Sequence, residues 1–294
     1  MTAQIIDGTA IAADIRAEVA SRTAALVSRG ITPGLAVILV GDDPGSVSYV
    51  TGKAKACAEV GIFSETFHLP EETSQEELFA LVRKLNADER FHAILPQLPV
   101  PKHIDELAYI DLIEARKDAD GLHPVNLGRL LRGELSGAIP CTPHGVLELL
   151  RRTGNDPAGK HVCVVGRSTL VGRPVAVLLS NKAEGANATV TICHTGTPDI
   201  GRHTREADIV VIAAGRPNTL RADMVREGAV VIDVGTNRID DPSRKRGWRL
   251  VGDSDFEGLK EKASWISPVP GGVGPMTIAM LLVNTVRAAE KAAG

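Results

Sequence analysis

Aromatic residues are scarce in this chain: two Trp, two Tyr and five Phe, 3% of all residues. So few rings do not build a stacking platform for single-stranded nucleic acid. Excess positive charge is missing too, since the formal net charge is −3, which removes the electrostatic reason to expect nucleic acid or an anionic membrane as partner. No apolar run approaches membrane-spanning length. The opening "MTAQIIDGTA" lacks the basic flank and apolar core of a signal peptide. Cysteine is limited to Cys57, Cys141, Cys163 and Cys193, widely scattered, with no CxxC or His/Cys spacing that would suggest a metal. Small core residues in a reducing compartment are the expected role of all four. The chain therefore reads as cytoplasmic, with no nucleic acid, membrane or metal expected.

What is present is the composition of a globular protein, 44% hydrophobic and 23% charged. At 294 residues it is long enough for two domains. Helical and strand-like spacing alternate. "TAIAADIRAEVASRTAALVSRG" has helical periodicity and stops at Gly30. "LAVILVG" (35–41) is wholly apolar, as in a strand covered on both faces. A helix from about Gly45, a strand near 63–68, a helix starting at Thr73 or Ser74, and "HAILPQLPVP" as strand and loop complete a βαβ order that favours a parallel sheet. A second series has strands at 161–166, 188–194, 208–215 and 229–235, and ends in an amphipathic helix from about Pro275. The expected fold is α/β in two domains. Residues 1–143, with the returning helix 275–294, form the first; 144–274 form a Rossmann-like parallel-sheet domain. A cleft is expected between them, with a hinge in the Gly/Pro-dotted region 121–145.

"VCVVGRSTLVGRPVAVLL" reads as strand, glycine turn and helix, the order that sets backbone N–H groups and a helix N-terminus where a pyrophosphate can lie. Gly166 and Gly172 are present, but Ser168 holds the middle position, so the GxGxxG spacing is not met, and packing alone is the competing explanation. After the next strand, "ICHTGTPD" carries no acid to hold a ribose 2′-hydroxyl. Arg167, Ser168 and Thr195 would instead suit a 2′-phosphate, and NADP is expected over NAD. The competing account has Arg167 solvated and the hydroxyls capping a helix. "AAGRPN" (213–218) and "DVGTN" (233–237) follow the third and fourth strands on the sheet edge where a dinucleotide lies. "SPVPGGVGPMT" (267–277) either lines the cleft or is a tight turn with Pro275 at the first helical position.

The remaining signal is "SYVTGKAKACAEVGI". Tyr49 and Lys53 are four residues apart, on one face of a helix. Alone, such a lysine is nearly always a solvated charge. Short-chain dehydrogenases use a Tyr-x-x-x-Lys pair, but after their glycine turn; here the pair precedes Gly166 by more than a hundred residues. Taken together, "GSVSYVTGKAKACAEVGI", "LPQLPVPKHID", "KDADGLHPVNLGRL", "PCTPHGVLELL", "VVGRSTLVGRPVAVLL", "VIDVGTN" and "PVPGGVGPMT" resemble, in order and spacing, the bifunctional methylenetetrahydrofolate dehydrogenase/methenyltetrahydrofolate cyclohydrolase family (FolD type), over nearly the whole chain.

The resemblance implies NADP-dependent oxidation of 5,10-methylenetetrahydrofolate and hydrolysis of the methenyl product to 10-formyltetrahydrofolate, usually by a homodimer. It makes Lys53 the catalytic lysine, Tyr49 the ring stacked on the folate, Gln97 the partner setting the charge state of Lys53, and Asp120 the pterin-holding carboxylate. Leu98, Pro270, Gly271 and Gly272 are implied at the substrate, and Gly166, Arg167, Ser168, Thr195 and Thr236 at NADP. Two positions depart from the family pattern: Ser254 replaces an apolar residue, and Thr236 a more common isoleucine. The residue types fit this chemistry independently. A pterin offers two parallel N–H donors to one carboxylate, for which Asp118 competes with Asp120. A buried lysine changes charge readily. Two rivals share the architecture: a shikimate-type dehydrogenase, needing no pterin carboxylate, and a nucleotide-binding module, needing no Lys53.

Overall fold

The computed structural model describes residues 2–244 and 246–294. The chain divides into two compact units. One comprises Ala13–Cys141 with Ile278–Gly294; the other comprises the residues up to Ala12 with Thr142–Thr277. The sequence reading placed the N-terminus in the first domain. The structure pairs the strand Gln4–Ile5 in parallel with Trp265–Ile266, in the sheet of the second unit. Two residues are too short a strand for periodicity to reveal.

In the first unit, the strand Gly34–Val40 is buried at every position and lies between two parallel neighbours, Phe63–Leu69 and Ala93–Pro96. Its unbroken apolar run follows from cover on both faces. One face packs with Leu78, Val82 and Leu85 of the helix Gln75–Ala87, and with Phe91 and Tyr109. That helix begins at a capping box, in which Ser74 and Glu77 each accept from the other's backbone N–H. Region 121–145 is more regular than its Gly/Pro content suggested. It contains the helix Pro124–Leu131 and the start of Cys141–Arg152.

The second unit is built on a six-stranded, wholly parallel sheet. Its order is Gln4–Ile5, Trp265–Ile266, Val230–Asp233, Ile209–Ile212, His161–Val165, Thr189–Cys193. His161–Val165 connects to the neighbour on one side, and the chain then crosses to Ile209–Ile212 on the other. The carboxyl end of His161–Val165 is thus a topological switch point, where open α/β sheets bind ligands. Cys163 and Cys193 are buried on adjacent strands, their sulfurs 3.7 Å apart and both free. Cys57 and Cys141 are also buried and free, as expected of core thiols. The final helix runs Val273–Ala292, so Pro275 occupies its third position, not its first. Among the described residues, no helix is long and apolar enough to cross a membrane.

Candidate functional site

Lys53 is not a surface lysine. Its helix, Pro44–Glu59, starts with Asp43 accepting from the Ser46 N–H (2.8 Å) and Pro44 in the first turn. From that start, Ser46, Val50, Lys53 and Cys57 fall on one stripe, and that stripe is the buried one. Lys53 is 4% exposed. Its Nζ donates to Gln97 Oε1 at 3.0 Å and sits 4.6 Å from the centre of the Tyr49 ring. Gln97 is oriented in turn, because its Nε2 donates to the Leu98 carbonyl (2.7 Å) and its backbone N–H to Ile38 (2.9 Å). Tyr49 keeps 36% of its surface exposed, leaving ring area for a flat ligand.

The electrostatics match that geometry. Burial pulls the Lys53 pKa below the usual lysine value, and nearby Asp120 opposes the shift. Burial likewise raises the Asp120 pKa; Lys53 counteracts this and Asp118 adds to it. Both groups are therefore drawn toward neutrality by loss of water. The sequence left Asp118 and Asp120 as alternatives for the pterin carboxylate, and their surroundings in the structure differ. Asp118 accepts from the N–H of Gly121 (3.0 Å), the N–H of His123 (2.9 Å) and Asn126 Nδ2 (2.9 Å). Its carboxylate is spent on the turn. Asp120 receives no backbone N–H among the described residues and is the acid coupled to Lys53. The turn between them requires Gly121, whose φ is +75° and where a Cβ would lie 2.5 Å from both Ile139 C and Pro140 N.

Two polar neighbours had escaped the sequence reading. Cys141 lies close enough to Asp120 and Lys53 that both charges act on its thiol, which burial raises well above its ordinary pKa. Asn284 donates to the carbonyls of Ala119 (2.9 Å) and Ile139 (2.8 Å), tying together the two segments that flank the site. The available signal was a lone amide in the apolar run "MLLVNTV" on a buried helix face.

In the other unit, Gly166 follows the strand His161–Val165 at the switch point, with φ +138°. A Cβ there would lie 2.2 Å from the Ala213 carbonyl oxygen, and one on Gly172 would lie 2.3 Å from that of Gly166. Both glycines are therefore required by the packing of the turn itself. Ser168 Oγ accepts from the N–H groups of Val171 (3.2 Å) and Gly172 (3.3 Å). Two amides of the turn thus already have a side-chain acceptor. Arg167, Ser168, Thr195 and Thr236 are all exposed, after the carboxyl ends of three strands of this sheet. Arg167 has no ion-pair partner among the described residues. No acid follows the strand Thr189–Cys193 before Asp199. An open glycine cradle flanked by an unpaired guanidinium and hydroxyls fits a dinucleotide bearing a 2′-phosphate. Pro270, Gly271 and Gly272 belong to this unit too. Gly271 has φ +103°, and a Cβ on Gly272 would lie 2.5 Å from the Pro268 carbonyl oxygen.

Ser254, one of the departures, has a local task. Its N–H (2.8 Å) and hydroxyl donate to the buried Asp233 carboxylate, which also accepts from the N–H of Gly235 (2.9 Å) and Asp253 (3.0 Å). Asp253 accepts from the N–H groups of Ala214 (2.6 Å) and Gly215 (2.7 Å) and from Asn237 (2.8 Å). These two acids brace the loops 213–218 and 233–237 that border the cradle.

Comparison with known families gives matches to both units. The catalytic-domain model of the tetrahydrofolate dehydrogenase/cyclohydrolase family matches residues 6–120, and that family's NAD(P)-binding-domain model matches residues 140–293. The chain belongs to this family. The tetrahydrofolate dehydrogenase/cyclohydrolase chain is 53% identical over 291 residues to the bifunctional protein FolD of Bacillus pumilus, covering 99% of each sequence. A crystal structure of the bifunctional FolD enzyme from Campylobacter jejuni is similar at 49% identity and a TM-score of 0.93, over 98% of this chain and 99% of that one. The Trypanosoma brucei FolD structure, complexed with NADP cofactor and inhibitor, is similar at 44% identity and TM-score 0.94, over 100% and 99%. For a dehydrogenase/cyclohydrolase, the short-chain and shikimate-type alternatives lapse, and Lys53 lies within the catalytic-domain match, Gly166 within the dinucleotide-binding one.

Proposed function

We propose that Lys53, Tyr49, Gln97 and Asp120 form the folate site, and that Lys53 handles the protons of methenyl hydrolysis. The observation that carries this reading is a nearly water-free ammonium, 4% exposed, held by an amide oxygen 3.0 Å away and biased toward its neutral form. In the hydrolysis, a water oxygen bonds to the methenyl carbon between N5 and N10 of the folate. Neutral Lys53 takes the proton that this water loses, and the positive charge of the amidinium is discharged into the new C–O bond. The ammonium then returns its proton to N5 as the C–N5 bond breaks, while the hydroxyl proton is lost to solvent and the C–O bond becomes the carbonyl of the formyl group on N10. Gln97 accepts from Nζ throughout and fixes its direction. Asp120, which has the Cys141 thiol as a hydrogen-bond partner but no backbone N–H among the described residues, accepts the pterin 2-amino and ring N–H groups. Tyr49 stacks on the ring system, and Leu98 adds a substrate contact.

Gly166, Arg167, Ser168, Thr195 and Thr236 would hold NADP, with Arg167 engaging the 2′-phosphate. The nicotinamide, when bound, accepts the hydride of the methylene carbon. That step asks no acid or base of the chain, only placement. We also assign a homodimer, supported by the edge strand Thr189–Cys193, where Ile192 is 41% exposed. Sedimentation of Ile192→Lys as a monomer is expected, and an unchanged oligomer would reject that edge as the interface.

The deciding experiment follows absorbance of methenyltetrahydrofolate as it forms with NADP and decays without it. Lys53→Met is expected to lose the decay while still binding NADP. Wild-type decay in that variant would remove Lys53 from the mechanism.

A further inference from the structure

One cavity of the catalytic unit lies away from Lys53. It encloses about 740 Å³ between the helix Pro124–Leu131, the last helix Val273–Ala292 and the loops near residues 88 and 115. Neither Lys53, Gln97 nor Asp120 lines it. A volume of this size suits a small metabolite, and pockets that bind such molecules span roughly 300–1,000 Å³.

Its wall carries five basic side chains against three acidic ones, in a protein whose overall charge is negative. Two of the acids are already engaged: Asp118 with its three donors, and Glu114 with Arg116 at 2.5 Å. Glu89 acts on Lys117. On the opposite wall, Arg129, Arg287 and Lys291 form no salt bridge among the described residues, although the Glu290 carboxylate acts on Arg287 at longer range. Glu290, the acid nearest on their helix, is held in a two-point pair by Arg22 (2.9 and 2.7 Å). The three cations touch only uncharged oxygens. Arg287 Nη1 donates to the carbonyls of Leu135 (3.4 Å) and Gly137 (3.3 Å), Arg129 to Asn126 Oδ1 (3.3 Å), and Lys291 to the Ser136 carbonyl. Lys291 is close enough to both arginines for repulsion to be felt, since Arg287 and Arg129 each lower its pKa, after burial. Three cations with only the shared Glu290 carboxylate near them are under-compensated; an anion with two or more charges relieves this, and guanidinium groups match phosphate oxygens in pairs.

We propose that this cavity binds a small phosphorylated anion carrying at least two negative charges, at a site separate from both folate and dinucleotide. The Nε and Nη2 of Arg287 and the ammonium of Lys291, four residues apart on one helix face, grip the phosphate, with Arg129 closing from the facing helix. The site shares Asp118 with the turn that carries Asp120.

Calorimetric titration with inorganic pyrophosphate at low ionic strength tests it, comparing wild type with Arg129→Gln/Lys291→Gln. The dinucleotide site contributes equally to both proteins, so the variant is expected to bind one equivalent fewer per chain. Lys291→Gln alone is expected to weaken that equivalent about tenfold, with the KM for NADP unchanged. Identical isotherms, or no heat in either protein, would overturn the assignment, and so would citrate binding more tightly than pyrophosphate. Should the double variant misfold, tungstate soaked into wild-type crystals decides the matter. An anomalous peak beside Arg287 and Lys291 supports the site, and a peak only at the Gly166 turn refutes it.

Discussion

Asp118 and Asp120 are chemically identical and two residues apart, yet we predict opposite consequences for Asp118→Asn and Asp120→Asn. The Asp118 carboxylate collects three N–H donors between 2.9 and 3.0 Å, all at a side chain 5% exposed. An amide retains one acceptor oxygen and turns its own NH₂ toward at least one of those donors. With the amide oxygen kept where it serves His123 and Asn126, the Gly121 bond is lost and the other two fall from a charged to a neutral acceptor, that is from about 1.5–3 to about 0.5–1.5 kcal/mol each. We expect a destabilisation of about 3–5 kcal/mol, allowing for partial relaxation of the turn. Asp120 gives the contrary case, because it accepts no backbone N–H and sits where burial disfavours its charge. Asp120→Asn should leave stability within about 1 kcal/mol of wild type, while raising the KM for methylenetetrahydrofolate about a hundredfold, on the order of two charge-assisted hydrogen bonds. Urea unfolding of both variants at pH 7, with steady-state dehydrogenase kinetics, measures all of this. Greater loss of stability in Asp120→Asn, or a wild-type KM, would show that the two roles have been assigned the wrong way round.

Further expectations concern charge and backbone. Lys53 has a folded-state pKa below its unfolded 10.5, so the unfolded chain binds more protons between those two values. Its burial therefore costs stability fully below the folded pKa, and that cost disappears as pH rises toward 10.5. Lys53→Met should be more stable than wild type at pH 7, with the gap closing in alkaline buffer; a gap independent of pH would contradict the burial argument. Gly166→Ala meets the Ala213 carbonyl at 2.2 Å and an unfavourable φ. It should lose NADP binding by fluorescence titration and lower the melting temperature, and wild-type affinity would show that the cradle is not needed.

Much of the architecture was legible because its signals are periodic. The apolar runs at 35–41 and 161–166 mark strands covered on both faces, and the capping box at Ser74 marks a helix start. The short strand Gln4–Ile5 was not legible, since its place depends on Trp265–Ile266 more than two hundred residues away. Lys53 illustrates the limit for the site. Helical spacing puts it on a face with Tyr49, but only packing shows that this stripe is the buried one. Asp118 and Asp120 could not be told apart, because their different hydrogen-bond partners depend on the turn at Gly121 and on Asn126, neither of which spacing encodes. The basic cavity was likewise invisible, since Arg129 and Arg287 lie far apart in the chain and meet only through the returning helix.

The ionisation of a single amine tests the central claim most directly. Protein labelled with ¹³C at lysine Cε, titrated by NMR with Lys53→Met as the assignment control, reports the Lys53 pKa alongside the pH profile of methenyl hydrolysis. The account predicts a Lys53 pKa below 10.5 that coincides with the limb of the profile on which activity rises with pH. An ordinary lysine titration, or a rate profile indifferent to that ionisation, would contradict it.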